Sequence, residues 1–168
     1  MISDALLRLS GTATAGQAHT ITNSVVWYST NVVDLASSTN VSGGTTTSQN
    51  RDIGEGEDLY VVLTIGTLAT GSAGAVTTAE VTISTSASDG AGTITVLGTT
   101  AIPYTGSVSG QQFVTRINPQ MGSVGARYLG VRYTNNATAW TGSPTIFADV
   151  TTDISDSKKF YGSGFTVT

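Results

Sequence analysis

The chain has 168 residues, enough for one domain with a core of its own, and only 11% of them are charged, less than half the usual quarter. With no Cys and a single His, disulfide scaffolds, thiolate zinc sites and Cys nucleophiles are excluded together. A net charge of −4 with seven scattered basic residues leaves no footing for the counterion release that drives nucleic-acid binding, and 30 Thr, 19 Ser and 20 Gly favour strands and turns over helices.

Residues 1–28 read as an N-terminal arm. Ile2, Leu6, Leu7 and Leu9 give it a short apolar start, residues 11–18 have no useful periodicity, and Val25, Val26, Trp27 and Tyr28 form an apolar knot. Asp4 stands where a secretion signal needs a basic region, and no run approaches the ~20 apolar residues of a membrane span, so the chain is expected to be soluble and to stay where it is made. Asn31 to Leu35 is a plausible first strand. Residues 36–50 are almost wholly Ser, Thr, Gly, Asn and Gln, the composition of a long loop, and loops of that length are usually functional or mobile.

Asp58 to Ile65 is the strongest strand; it is apolar on both faces and so belongs in the middle of a sheet. Residues 66–74 form a turn-rich connection. Ala79 to Thr85 alternates, with Val81 and Ile83 inward. The Asp89-Gly90 turn follows, then strands over 93–97 and 112–117, separated by the breakers Pro103 and Gly106. Arg127 to Tyr133 alternates again: Leu129, Val131 and Tyr133 share one face, Tyr128 and Arg132 the other. Thr145 to Val150 is the last clear strand, and residues 153–168 read as a C-terminal arm carrying Phe160, Tyr161 and Phe165. The pattern is an all-β sandwich or jelly roll of about seven to eight antiparallel strands, spanning 29–152, with extended arms at both ends; a barrel is the structural competitor.

The chemistry-bearing residues form no constellation. His19, in a Gly/Thr/Ala-rich stretch, reads as an exposed or locally satisfied histidine rather than an acid–base catalyst, and one His without Cys does not make the usual zinc or copper sets. Asp52, Glu55, Glu57 and Asp58 are the densest acidic group, but their spacing does not match a calcium loop, and they read as a solvated turn entering the central strand. Asp149, Asp153 and Asp156 read as charges that keep a sheet edge from pairing. No Gly-x-Ser-x-Gly elbow and no phosphate loop occur. The expectation is a protein that is not an enzyme and holds no cofactor or metal. What remains informative is the apolar content of the two unpatterned ends: exposed groups of this kind mark partner surfaces, and an extended end can add a strand to a neighbour.

Four landmarks in order carry a resemblance: Met1-Ile2-Ser3-Asp4-Ala5-Leu6-Leu7-Arg8-Leu9-Ser10, Ser29-Thr30-Asn31-Val32-Val33-Asp34-Leu35, Gly56-Glu57-Asp58-Leu59-Tyr60-Val61 and Arg127-Tyr128-Leu129-Gly130-Val131-Arg132-Tyr133. Together they make the chain resemble the Bbp16-like capsid cement (decoration) proteins of tailed bacteriophages. Residues 11–28 and 36–56 are longer than that family's usual connections, and the tail after about residue 152 is an addition. The resemblance implies a jelly roll on the outer surface of an icosahedral phage head, made in the cytoplasm of the host bacterium. It also implies that the major capsid protein is the partner and that the protein forms a homo-oligomer, with a dimer favoured over a trimer. On this reading Ile2, Leu6, Leu7, Leu9, Trp27, Tyr28, Phe160, Tyr161 and Phe165 are the partner-binding residues. The main rival is a carbohydrate-binding sandwich of a phage tail or surface protein, with Trp27, Trp140 and tyrosines as stacking platforms. A sandwich hydrolase using the acids around Glu55 to Asp58 is a weaker one.

Overall fold

The structure is a computed structural model that describes residues 7–12, 15–18, 26–34, 58–67, 70–71, 74–87, 92–103, 107–117, 126–136, 140–141 and 144–152. Among these are twelve strands and no α-helix: β1 (Arg8–Ser10), β2 (Gln17–Ala18), β3 (Val26–Tyr28), β4 (Val33–Asp34), β5 (Tyr60–Thr67), β6 (Thr70–Gly71), β7 (Val76–Ser84), β8 (Ile94–Pro103), β9 (Gln112–Arg116), β10 (Tyr128–Asn135), β11 (Trp140–Thr141) and β12 (Thr145–Thr151). Four of them are only two residues long, which leaves eight of three or more, in line with the expected number.

Two antiparallel five-stranded sheets face each other. The first runs β1-β12-β5-β9 with β2 also on β12; the second runs β3-β10-β7-β8 with β4 also on β10; β6 and β11 form a small ribbon of their own. Among the eight longer strands the pairing is nested: β7 with β8, β5 with β9, β3 with β10, β1 with β12. The chain is thus a long double ribbon turned back at residues 85–93, and two further seams, β5 on β12 and β7 on β10, roll that ribbon into a jelly roll.

Alternation builds the core. Val61, Leu63 and Ile65 of β5 and Ile146 and Ala148 of β12 point inward from one sheet; Ala79, Val81 and Ile83 of β7 and Leu129, Val131 and Tyr133 of β10 meet them from the other. The β5 stretch does sit in the middle of its sheet, and the two faces read for β10 are the faces found: Leu129, Val131 and Tyr133 are buried and Tyr128 and Arg132 are not. One of the few polar contacts between sheets inside the core is the Ser10 hydroxyl with the Tyr133 hydroxyl at 2.6 Å.

Three local readings are revised. β8 continues well past residue 97, as far as Pro103, the last described residue of the strand. The strand expected over 31–35 starts only at Val33, because the Ser29 hydroxyl turns the chain by donating to the Asn31 carbonyl at 2.9 Å while accepting from the Val131 N–H; Leu35 lies outside the described residues. The N-terminal arm expected over 1–28 is, where described, part of the sandwich: β1, β2 and β3 all lie in the sheets. The 36–50 loop and the C-terminal segment from 153 lie outside the described residues.

Candidate partner-binding surface

The strand directions divide the sandwich into two ends. β5 starts at Tyr60, where β12 finishes (Thr151 pairs with Tyr60) and β9 finishes (Arg116 pairs with Tyr60). β1 is antiparallel to β12, with Arg8 opposite Asp149, so it begins at this same end. In the second sheet, β10 begins here and β4 and β7 finish here, with Tyr128 opposite both Asp34 and Ser84. The chain therefore enters β1 and leaves β12 at one pole, and the connection from Asp34 to Asp58 starts and ends at that pole too. The opposite pole carries the passages from β5 to β7, from β8 to β9 and from β10 to β12.

Arg8 anchors the N-terminal segment there. Its Nε and Nη2 donate to the two carboxylate oxygens of Asp149 at 2.7 and 3.2 Å, and its Nη1 donates to the Thr12 carbonyl at 2.5 Å. The guanidinium also lies 5.2 Å from the centre of the Phe147 ring. The paired side chains are only 13% and 9% exposed, so removing either leaves a poorly hydrated charge behind. Asp149 was expected to guard a sheet edge; it lies instead on β12, between β1 and β5, and holds Arg8.

Leu9, next in sequence, turns the other way and is fully buried. A register shift between Arg8 and Ser10 lets Leu9 and Ser10 both pack inward, the usual effect of an extra residue in one strand. Leu9 is therefore a core residue of this chain, which overturns its assignment as a partner contact. Leu7, one step toward the terminus, is 39% exposed and stands at the pole. Ile2, Leu6, Phe160, Tyr161 and Phe165 lie outside the described residues.

Two other expected contacts fall elsewhere. Trp27 stacks on Tyr133 with ring centroids 5.4 Å apart and packs against the core, so it is no exposed platform for a sugar or a partner. Tyr28 is half-buried on the outer face of the second sheet. There it lines a small hollow with Val32, Thr82, Ser84, Ile94, Tyr128 and Gly130. The backbone of Trp140 pairs with Gly71.

Ion pairs finish the pole. Asp58 accepts from Arg116 at 2.5 Å and from the Tyr60 hydroxyl at 3.2 Å. Burial, with the Asp58 charge and hydrogen bond behind it, raises the Tyr60 phenol above its ordinary value. Asp34 holds Arg127 through two hydrogen bonds, which raise the guanidinium further above its usual range against the opposing effect of burial. Of the acidic group at 52–58 only Asp58 is described, and it serves in these contacts; Asp52, Glu55, Glu57, Asp153, Asp156 and His19 lie outside the described residues. Among the described residues no group of three or more His, Cys, Asp or Glu comes together.

Sequence reasoning missed the Arg8–Asp149 clasp, since nothing local links two residues 141 positions apart. The one signal was an Arg beside a buried Leu in a stretch read as an arm. The model of one protein family, Bbp16, matches residues 13–147, most of the chain. No curated protein matches it.

Proposed function

Starting from a chain that belongs to Bbp16, a phage-related family, we propose that it is a structural virion protein: a non-catalytic cement protein that binds the outside of an icosahedral phage head and clamps neighbouring major capsid subunits. The observation that carries this reading is the shared pole. The described chain enters the sandwich at Leu7 and leaves it at Thr152 on the same pole, so the sequence segments that carry Ile2, Leu6 and Leu7 and Phe160, Tyr161 and Phe165 join the jelly roll at that pole. The sandwich acts as spacer and the terminal segments as clamp. A docked Leu or Phe contributes on the order of 1.5–3 kcal/mol before ordering costs, so one segment is a weak bond. Two segments on one pole, repeated over many copies on a shell, bind by avidity.

The test is co-sedimentation with expanded, empty phage shells, followed by cryo-electron microscopy of the pellet. Saturable, stoichiometric binding at lattice positions is expected, with at least a tenfold loss when residues 1–6 are removed. That deletion must stop short of Leu9, which belongs to the core. A folded protein that binds no shell refutes the reading, and specific retention on immobilised glycans would favour the carbohydrate-binding alternative.

A further inference from the structure

The outer face of the second sheet is hollowed near one end. Gly130 of β10 stands opposite Thr82 of β7, and Tyr128 stands opposite Ser84. The strand period turns all four away from the core, so a glycine and two short hydroxyl side chains occupy ground that larger residues would fill. Around them stand the rings of Tyr28 and Tyr128 and the side chains of Val32 and Ile94, which enclose a shallow hollow of about 360 Å³. A side chain at 130 would intrude on it: a Cβ there would lie 3.2 Å from Ser29 Oγ and 3.3 Å from Val32 Cγ1.

The hollow is neutral. Among the described residues the charged side chains are four arginines and four acids, and they are joined in four ion pairs. None of them lines the hollow. Two pairs flank it: Arg132 with Glu80, next to Tyr28, and Arg127 with Asp34, next to Tyr128. What the hollow offers is hydroxyl. Ser84 Oγ accepts from the Ser86 N–H at 3.1 Å, which leaves its own proton to donate. The phenols of Tyr28 and Tyr128 have no hydrogen-bond partner among the described residues.

We propose that this hollow binds one ring of an uncharged sugar. A pyranose has an apolar C–H face and a rim of hydroxyls. Tyrosine matches both with an apolar ring and a polar tip, and each hydroxyl of the lining both donates and accepts. A phosphate or carboxylate would find no unpaired cation among the described residues, and an aliphatic side chain would leave the phenols and Ser84 without partners. The volume lies at the small end of ligand sites, which suits a single ring. Trp27 takes no part, since it packs on the core. The inference goes beyond the shell-binding reading and does not rest on it, because the hollow opens on a sheet face. One ring in so shallow a site should bind with a Kd on the order of a millimolar. Copies repeated on one particle would bind a glycan-covered surface by avidity.

The test is saturation-transfer NMR of the full chain with the methyl glycosides of glucose, galactose, mannose and N-acetylglucosamine, and with glucuronic acid as the charged comparator. At least one neutral glycoside is expected to bind, more tightly than the acid. Tyr28→Ala/Tyr128→Ala should weaken it at least about tenfold. Tyr28→Phe/Tyr128→Phe keeps the rings and should weaken it about fivefold; it decides alone if the alanine pair does not fold. Shell binding should be unchanged in the Phe pair. No binding of any of the four glycosides, a preference for the acid, or affinity that the Phe pair retains in full overturns the inference, whatever the shells show. So does loss of shell binding in the Phe pair, which would make the hollow a contact for the capsid protein. A chain that binds the sugar as expected but no shell refutes only the shell reading.

Discussion

At the residue scale the informative contrast is between Leu7 and Leu9. Both belong to one short apolar run, and a run that short has no period from which to read inside and outside. The bulge in β1 then decides: Leu9 is fully buried among residues of both sheets, while Leu7 is 39% exposed. Replacing Leu9 by Ala removes buried methyl groups and leaves a cavity, so a loss of about 2–5 kcal/mol is expected in urea unfolding. Leu7→Ala should change stability by no more than about 0.5 kcal/mol. Equal losses at the two positions would mean that Leu7 is also a structural residue, and it would drop out of the proposed clamp. The Arg8–Asp149 clasp was illegible for a different reason: an ion pair across strands depends on register, which is a property of the folded sheet and not of either sequence segment.

At the element scale the sequence was most readable where a strand is long and alternates. Position 131 onward in β10 displays its buried and less buried faces residue by residue, and the doubly apolar stretch 59–65 declares a central strand. It was least readable at β2, β4, β6 and β11, whose two residues each are set by their neighbours and not by any pattern of their own. Gly98 shows the limit most clearly. Inside a strand pattern a glycine says only that something approaches closely; the structure shows that it is the other sheet. A Cβ built at Gly98 would lie 2.6 Å from Cγ2 of Thr115 and 2.7 Å from the carbonyl oxygen of Arg116, both on β9. Here the edge strands of the two sheets touch, so the sandwich closes along this side. Gly98→Val must push β8 and β9 apart, since the backbone oxygen cannot rotate away as a side chain can. A destabilisation of about 1–3 kcal/mol or more is expected, read as a lower melting temperature, with the strand content unchanged in the far-ultraviolet spectrum. A neutral substitution would show that the two edges do not meet.

At the scale of the whole molecule the nested pairing orders the strands by the length of chain each pair must close. β7 and β8 meet across residues 84–94, β5 and β9 across 63–113, β3 and β10 across 27–133, and β1 and β12 only across 8–149. No stretch of sequence announces this, because strand patterns reveal faces but not partners; only the Asp89-Gly90 turn at the innermost closure was visible beforehand. The entropy of closing a loop rises with its length, so the innermost hairpin closes at the lowest cost and the terminal pair at the highest. Folding should therefore be slow for the chain's size, in the millisecond-to-second range of β-sandwiches. It should also pass through a transition state in which β7 and β8 are paired and β1 is not. Two variants separate these states. Val81→Ala, at a buried position of β7 opposite the bulge that Leu97 makes in β8, removes contacts already formed in the transition state and should slow refolding with little effect on unfolding. Leu9→Ala removes contacts formed afterwards, so nearly all of its destabilisation should show as faster unfolding, with the refolding rate changed less than about twofold. Stopped-flow refolding and unfolding of both variants reads the two effects directly. The reverse assignment, with Leu9→Ala slowing refolding, would mean that the ends of the chain meet early. The pole where they exit would then be organised first, not last. If β1 does close last, the segment clasped by Arg8 and Asp149 is the first to detach when the protein opens, so the proposed clamp is joined to the sandwich through its most readily opened pair of strands.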